Sequence, residues 1–166
     1  MPISFVPEPG TVLICDFSGF QPPEMTKKRP VIVLSNRSRV CFPDTYIVVP
    51  VSKTAPAPPE GCHCGFSPRS YDFFDQAETV WAKANMVTCV GRHRLDRVRM
   101  GGRYMSPRLR AADLQRVRQS VLYAIGMSDW RGPEAAPETE SSPKASKQVD
   151  EEAKRPASVI LTGDAS

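Results

Sequence analysis

The chain has 166 residues, with 22 Lys+Arg against 18 Asp+Glu for a formal net charge of +4, and five cysteines. That length supports one domain with room for an appendage; no apolar run approaches the ~20 residues of a membrane-spanning helix, and an odd number of scattered cysteines does not fit a secreted disulfide framework. The opening Met1-Pro2-Ile3-Ser4-Phe5 has neither the basic segment nor the apolar core of a signal peptide, so a cytoplasmic protein with reduced thiols and no membrane partner is expected.

In chain order, Pro9-Gly10 introduces a first expected strand over residues 11–17, and a polar, Pro-rich loop occupies 18–28. Two short β-branched runs follow. Lys28-Arg29-Pro30-Val31-Ile32-Val33-Leu34-Ser35 predicts a strand over 30–35, and Ile47-Val48-Val49-Pro50-Val51-Ser52 one over 46–51. A cation, Arg29, leads into the first run, and a hydroxyl, Ser52, closes the second. If the two strands pair, guanidinium and hydroxyl converge at one end of a small sheet. That end suits a phosphate, because arginine presents a planar fork of donors matched to phosphate oxygens.

Residues 53–70 contain Pro56, Pro58, Pro59, Gly61, Gly65 and Pro68 and read as an irregular connection. Strand character returns at 79–83 and 87–90, with a short piece near 95–100. Leu114, Val117, Val121, Leu122 and Ile125 then recur at helical spacing, and Gly126 stands where a left-handed cap ends a helix. Several closely spaced short strands followed by one helix predict a mainly β fold, a small curled barrel with a C-terminal α-helix packed on it.

Charge divides the chain. Residues 129–166 hold 5 basic and 8 acidic residues, net −3, whereas 1–128 hold 17 and 10, net +7. A basic body favours polyanions, of which nucleic acid is the commonest in the cytosol. Residues 131–157 are rich in Pro, Glu, Ser, Ala and Lys and nearly devoid of large apolar side chains, so burial there does not offset the entropy of ordering. The expected layout is a domain over 1–130 and a disordered acidic tail over 131–166, in which Ser158-Val159-Ile160-Leu161-Thr162 is a lone apolar island.

Residues 11–17, Glu24, Arg29-Pro30, the apolar run to Ser35 and Val48-Val49-Pro50-Val51-Ser52, in that order, resemble the MazF/PemK (Kid) growth-inhibitor toxins over about residues 8–126. The resemblance implies a homodimeric SH3-like barrel, a toxin of a type II toxin–antitoxin module that cleaves single-stranded RNA, inhibits growth, is held in check by a cognate antitoxin and binds DNA in complex with it. By position, Arg29 matches the family's catalytic arginine, Ser52 its threonine or serine after the Pro-apolar pair, and Glu24 the acidic residue of the mobile loop. Trp81-Ala82-Lys83-Ala84-Asn85-Met86-Val87 resembles the strand that often carries an Asp-Gln pair, with Asn85 and Met86 standing in those two places. The segment 53–70 and the tail lie outside the family's usual core.

The implied chemistry needs no metal. The ribose 2′-hydroxyl attacks phosphorus, leaving a cyclic phosphate and a 5′-hydroxyl, while the protein aligns the phosphate and stabilises its growing charge. Arg29 suits that charge-stabilising role; the competing reading is a surface ion pair with Glu24. Ser52 can bond a phosphate oxygen, or instead cap its own backbone. The candidate catalytic set is Arg29, Ser52 and Glu24, with no general base singled out among Glu24, Asp16, His93 and the carboxylates of the tail. The candidate RNA contacts are Lys28, Lys53, Trp81, Lys83 and Asn85. Arg92, Arg94, Arg97, Arg99 and Arg103 form either a phosphate-tracking band or a solvated strand face. Phe73 and Phe74 are expected in the core or in dimer contacts. Cys62-His63-Cys64 invites zinc, but one intervening residue strains coordination by both thiolates, and no metal or cofactor is expected. A second class of function on the same fold is a non-catalytic RNA-binding module or a CcdB-like topoisomerase poison, which Asn85 in the acidic position favours.

Overall fold

The structure is a computed structural model that describes residues 2–35 and 44–129; the expected tail, with its apolar island, lies outside the described residues. Among the described residues nine short strands precede one α-helix: β1 Val12–Cys15, β2 Arg29–Val33, β3 Thr45–Ser52, β4 His63–Phe66, β5 Val80–Lys83, β6 Thr88–Gly91, β7 Leu95–Asp96, β8 Val98–Met100, β9 Arg103–Met105 and α1 Ala111–Ala124. The fold is mainly β with a C-terminal helix, as the spacing predicts. Three details differ. The segment 53–70 is not wholly irregular, because it contains β4. The piece near 95–100 is two strands, β7 and β8, and β8 turns back into the unforeseen β9.

The strands run β4-β5-β3-β2-β1-β7, with β6 also on β3, and every pairing is antiparallel. β3 is the hinge of this curled path. Its first half, through Val48, pairs with β6, while Val51 and Ser52 pair with β5. Pro50, which brings no N–H, sits where β3 changes partner, a place in a ladder that tolerates proline.

Alternation splits the core in two. Val31 and Val33 of β2 join Leu13, Cys15, Tyr46 and Val48 on one face. Ile32 joins Val12, Val49 and Val51 on the other. The central strands are therefore buried on both sides, which is why they read as continuous apolar runs rather than alternating ones. The first face is closed by Ile3, Phe5, Phe17, Phe20 and Met25, from the N-terminus and the β1–β2 loop. The second is closed by Leu114 and Val117 of α1 and by Phe66, Tyr71 and Phe74.

Helix α1 buries Asp113, Leu114, Val117 and Ser120. Burying Leu114 and Val117 contributes about 1.5–3 kcal/mol each. Gly126, at φ 74°, closes the helix: its N–H donates to Tyr123 O at 3.0 Å and that of Met127 to Leu122 O at 2.7 Å, the bond pattern of a Schellman cap. Ile125, the last residue before the cap, still donates its N–H to Val121 O at 3.1 Å, but its side chain is 56% exposed instead of lying on the buried face that its spacing predicts.

Candidate active site

Antiparallel pairing brings Arg29 and Ser52 together. Val33 faces Val48 and Val31 faces Pro50, and the same ladder, continued by one more pair of steps, ends with Arg29 beside Ser52. Paired residues point to one face of a sheet, and both side chains line a cleft of about 300 Å³. The Arg29 guanidinium is half-buried, and its Nε is enclosed without a hydrogen-bond partner. Ser52 is 6% exposed. Its Oγ accepts the Thr54 N–H at 3.2 Å, the backbone-capping contact of the plainer reading, and this leaves its own O–H proton to donate.

The far wall of the cleft comes from residues between β4 and β5, which place Phe73, Phe74 and Asp75 against Arg29 and Ser52. Lys53, next to Ser52, forms an ion pair with Asp75. The other Asp75 oxygen accepts the N–H groups of Ala77 at 2.8 Å and Glu78 at 2.9 Å. The Lys53 hydrogen bond, then these two amides, hold the Asp75 carboxyl down to about 2, and Asp75 in turn raises Lys53 above the ordinary lysine range. Asp75 is absent from the sequence-based candidates. Its signal is an Asp two and three residues before the amides that it caps, a turn-forming pattern, which says nothing of the lysine it meets.

This wall is anchored from behind. Gln76 Nε2 donates to the carbonyls of Tyr71 at 2.7 Å and Phe74 at 2.8 Å. The Tyr71 hydroxyl donates to Asp113 of α1 and accepts the Arg110 N–H at 3.0 Å. Arg110 and Arg116 complete the network on Asp113 at 3.2 and 3.0 Å. Burial pushes the Asp113 carboxyl up, but the bonds from Tyr71, Arg116 and Arg110 together hold it below the usual range. Phe74 and Phe73 belong both to this apolar layer and to the cleft.

The remaining candidates are dispersed. Trp81 faces Ser52 across the β3–β5 ladder, so Arg29, Ser52 and Trp81 follow one another across three strands. Its indole rests over Gly65, where a Cβ would stand 3.1 Å from Cζ3. Lys83, two residues on, shares that face and stands opposite His63. Glu24 and Asn85 together line a different cleft of about 470 Å³ with Phe20, Met25 and Met86. The Glu24 carboxylate accepts the Gln21 N–H at 3.2 Å, and it makes no ion pair with Arg29 among the described residues. Lys28 lies in a third cleft of about 420 Å³ and pairs with Asp16 at 3.3 Å. The Ser18 amide, followed by Lys28, holds Asp16 low.

The arginine series is not one band. Arg92 pairs with Asp44 at 2.7 Å. Arg94 donates to the carbonyls of Asp16 at 3.0 Å and Ser18 at 2.8 Å and stacks on Phe20. These two hold the fold together, whereas Arg99 and Arg103 are exposed. Cys62 Sγ lies 3.6 Å from His63 Nδ1 and 3.8 Å from Glu60 Oε2, and burial followed by the Glu60 charge pushes its thiol up. Burial also pushes the thiol of Cys15 up to about 12. Among the described residues no three His, Cys, Asp or Glu side chains gather as a metal site, and no helix is long and apolar enough to cross a membrane.

Comparison with known proteins places this geometry in context. Residues 8–125 match the family model described as PemK-like, MazF-like toxin of type II toxin-antitoxin system. The uncharacterized protein YifN of Escherichia coli (strain K12) is 32% identical over 153 residues, which span 76% of this chain and 99% of YifN. Among solved structures, MazF from Deinococcus radiodurans (form I) superposes with a TM-score of 0.55 at 18% identity, over 75% of this chain and 100% of that one. An endoribonuclease in complex with its cognate antitoxin, from a mycobacterial species, does so with a TM-score of 0.53 at 19% identity, over 74% and 97%. At such identities the structural likeness speaks for the fold.

Proposed function

The chain belongs to the PemK-like, MazF-like toxins of type II toxin–antitoxin systems, and from that premise we propose that it is a metal-independent endoribonuclease acting on single-stranded RNA. The observation that carries the proposal is the meeting of Arg29 and Ser52 in one cleft, with no carboxylate paired to the guanidinium among the described residues and its Nε without a partner. A guanidinium so placed takes two oxygens of a phosphodiester, and the Ser52 hydroxyl donates to a third position.

In this reading the ribose 2′-oxygen attacks phosphorus, and the bond from phosphorus to the 5′-oxygen breaks. The 2′-hydroxyl proton passes to a base, the leaving 5′-oxygen gains a proton, and the products are a 2′,3′-cyclic phosphate and a 5′-hydroxyl. Arg29 stabilises the charge that accumulates on the phosphoryl oxygens as attack proceeds. Asp75 is a poor base at neutral pH with its carboxyl near 2, and Glu24 lines a different cleft, so neither carboxylate is assigned the proton. The donor set argues for metal independence in its own right. Two cations, Arg29 and Lys53, line the cleft, and its one carboxylate already accepts Lys53 and two amides, so a divalent cation meets repulsion rather than ligands.

Trp81 and Lys83 lie along the strand that continues the site and are assigned to the RNA strand, as are Lys28, Lys53 and Asn85. The partners proposed are a second copy of this chain and a cognate antitoxin with an acidic segment that covers the basic body. Solved relatives include MazE–MazF complexes from Deinococcus radiodurans. Residues 1–130 are assigned as the nuclease domain, and 131–166 as dispensable for cleavage.

The test is incubation of the purified protein with long single-stranded RNAs, with and without EDTA. Cleavage that survives EDTA and leaves 5′-hydroxyl ends is expected. Loss of activity in EDTA removes the metal-independent mechanism. Tight binding without cleavage across several RNAs favours the non-catalytic binder.

A further inference from the structure

The cleft that holds Arg29 and Ser52 has three ionisable side chains in its lining, Arg29, Lys53 and Asp75. Lys53 and Asp75 neutralise one another, and among the described residues Arg29 has no counter-charge. The site therefore carries a net charge of about +1 at neutral pH. We propose that Asp75 is a specificity-determining residue that sets this charge, so that the cleft accepts a phosphodiester within a chain and disfavours a terminal phosphomonoester.

The proposal rests on the reading of this cleft as a phosphate site and deepens it. A phosphodiester carries one negative charge, which Arg29 alone balances. A phosphomonoester carries ≈ −1.5 to −2 at pH 7, and its second charge would have to settle beside the Asp75 carboxylate with no free cation to meet it. Asp75 is fixed in that role rather than a passing contact. Two backbone amides, Ala77 and Glu78, grip one of its oxygens. Its segment is held by Gln76 to two carbonyls and by Tyr71 to the helix. The Asp75 carboxyl near 2 keeps the carboxylate charged at any pH at which the protein works.

The test is direct binding, read by calorimetry or NMR titration at low salt. The ligands are a nucleoside 3′-monophosphate and a dinucleotide whose scissile ribose is 2′-deoxy and so cannot be cut. Asp75→Asn keeps an oxygen for the Ala77 and Glu78 amides while removing the charge. With an effective dielectric constant of ~40 and a separation of ~8 Å, each phosphate charge gains about fivefold from that change. The diester is then expected to bind about fivefold tighter, and the dianionic monoester about 25-fold tighter. Lys53→Gln, which leaves the cleft net neutral, shifts the ratio the opposite way and serves as the second variant if Asp75→Asn fails to fold by circular dichroism. Equal gains for the two ligands in Asp75→Asn, or equal losses in Lys53→Gln, overturn the charge-selection role while leaving the phosphate site standing. If the wild-type protein binds neither ligand, or if Arg29→Ala leaves both affinities unchanged, the phosphate reading itself falls and the role of Asp75 falls with it.

Discussion

The Tyr71 hydroxyl donates to the Asp113 carboxylate, and this bond ties the wall of the cleft to helix α1. Asp113 sits in the first turn of α1 with its side chain 12% exposed, where a carboxylate also complements the helix dipole. The same hydroxyl accepts the Arg110 N–H at 3.0 Å, so one oxygen serves both the start of the helix and the segment that carries Phe73, Phe74 and Asp75.

Tyr71→Phe keeps the ring, with its edge contacts to Phe66 and Phe74, and removes only that oxygen. Hydrogen bonds to charged groups contribute about 1.5–3 kcal/mol, so urea unfolding should show a loss of stability in that range. Because the lost bond is the anchor of the cleft wall, RNA cleavage should also weaken by more than the unfolded fraction explains. Unchanged stability would mean that Arg110 and Arg116 satisfy Asp113 without the tyrosine.

Arg29 makes the opposite separation between stability and activity. It holds no ion pair among the described residues, so Arg29→Ala should move stability by no more than the ~1 kcal/mol of an exposed pair. Removal of one charge-stabilising donor typically costs 10²–10³ in rate, and cleavage should fall by about that much. Arg29→Lys should fall nearly as far, since an ammonium cannot reproduce the bidentate fork. A lysine variant close to the wild-type rate would show that Arg29 is structural.

How much of this was legible before the structure depends on where each residue's partner lies. Val31–Val33 and Val48–Val51 are buried on both faces, so their β-branched runs announce strands, and the convergence of Arg29 with Ser52 follows from pairing those strands. β4 was hidden because His63-Cys64-Gly65-Phe66 is only four residues long, follows a Pro-rich stretch and includes a glycine, whose strand role becomes clear only with Trp81 lying over it. Asp75 was hidden for a different reason: its local pattern specifies a turn, whereas its functional meaning comes from Lys53, the residue just after β3. Glu24 matched a family position by its place in the chain, yet the β1–β2 loop folds it toward Asn85 rather than into the cleft of Arg29.

Acid should weaken this framework. The carboxyls of Asp75, Asp16 and Asp113 are all held below their ordinary values. A depressed carboxyl contributes stability that is present above its unfolded pKa, ~3.9 for Asp, and is lost as pH falls through its folded value. For Asp75 that window runs from about 4 down to about 2. The stability difference between wild type and Asp75→Asn should therefore hold steady from neutral pH to about 4 and shrink toward zero near 2, measured by denaturant titration at each pH. The acid limb of the cleavage profile should not move in the same variant, because Asp75 has no proton to exchange there. A limb that moves would give Asp75 a direct part in proton transfer.

Gly65 supplies a test of the row formed by Arg29, Ser52 and Trp81. A Cβ at residue 65 would lie 3.1 Å from Trp81 Cζ3 and 3.4 Å from Cε3, tighter than ordinary van der Waals contact, so the indole has to tilt or lift off β4. The backbone at Gly65 is ordinary strand, and its O accepts Arg116 at 3.1 Å, so Gly65→Ala disturbs the ring rather than the chain path. The expected signature is a shift in the tryptophan emission of the folded protein with a stability loss no larger than the ~1–3 kcal/mol of core overpacking. If Trp81 stacks a base beside the phosphate held by Arg29, that tilt should weaken RNA binding by about the 1–3 kcal/mol of one base–aromatic contact, and Trp81→Ala should do the same without the overpacking. Binding indifferent to both changes would confine Trp81 to covering β4 and move the RNA path elsewhere along the cleft.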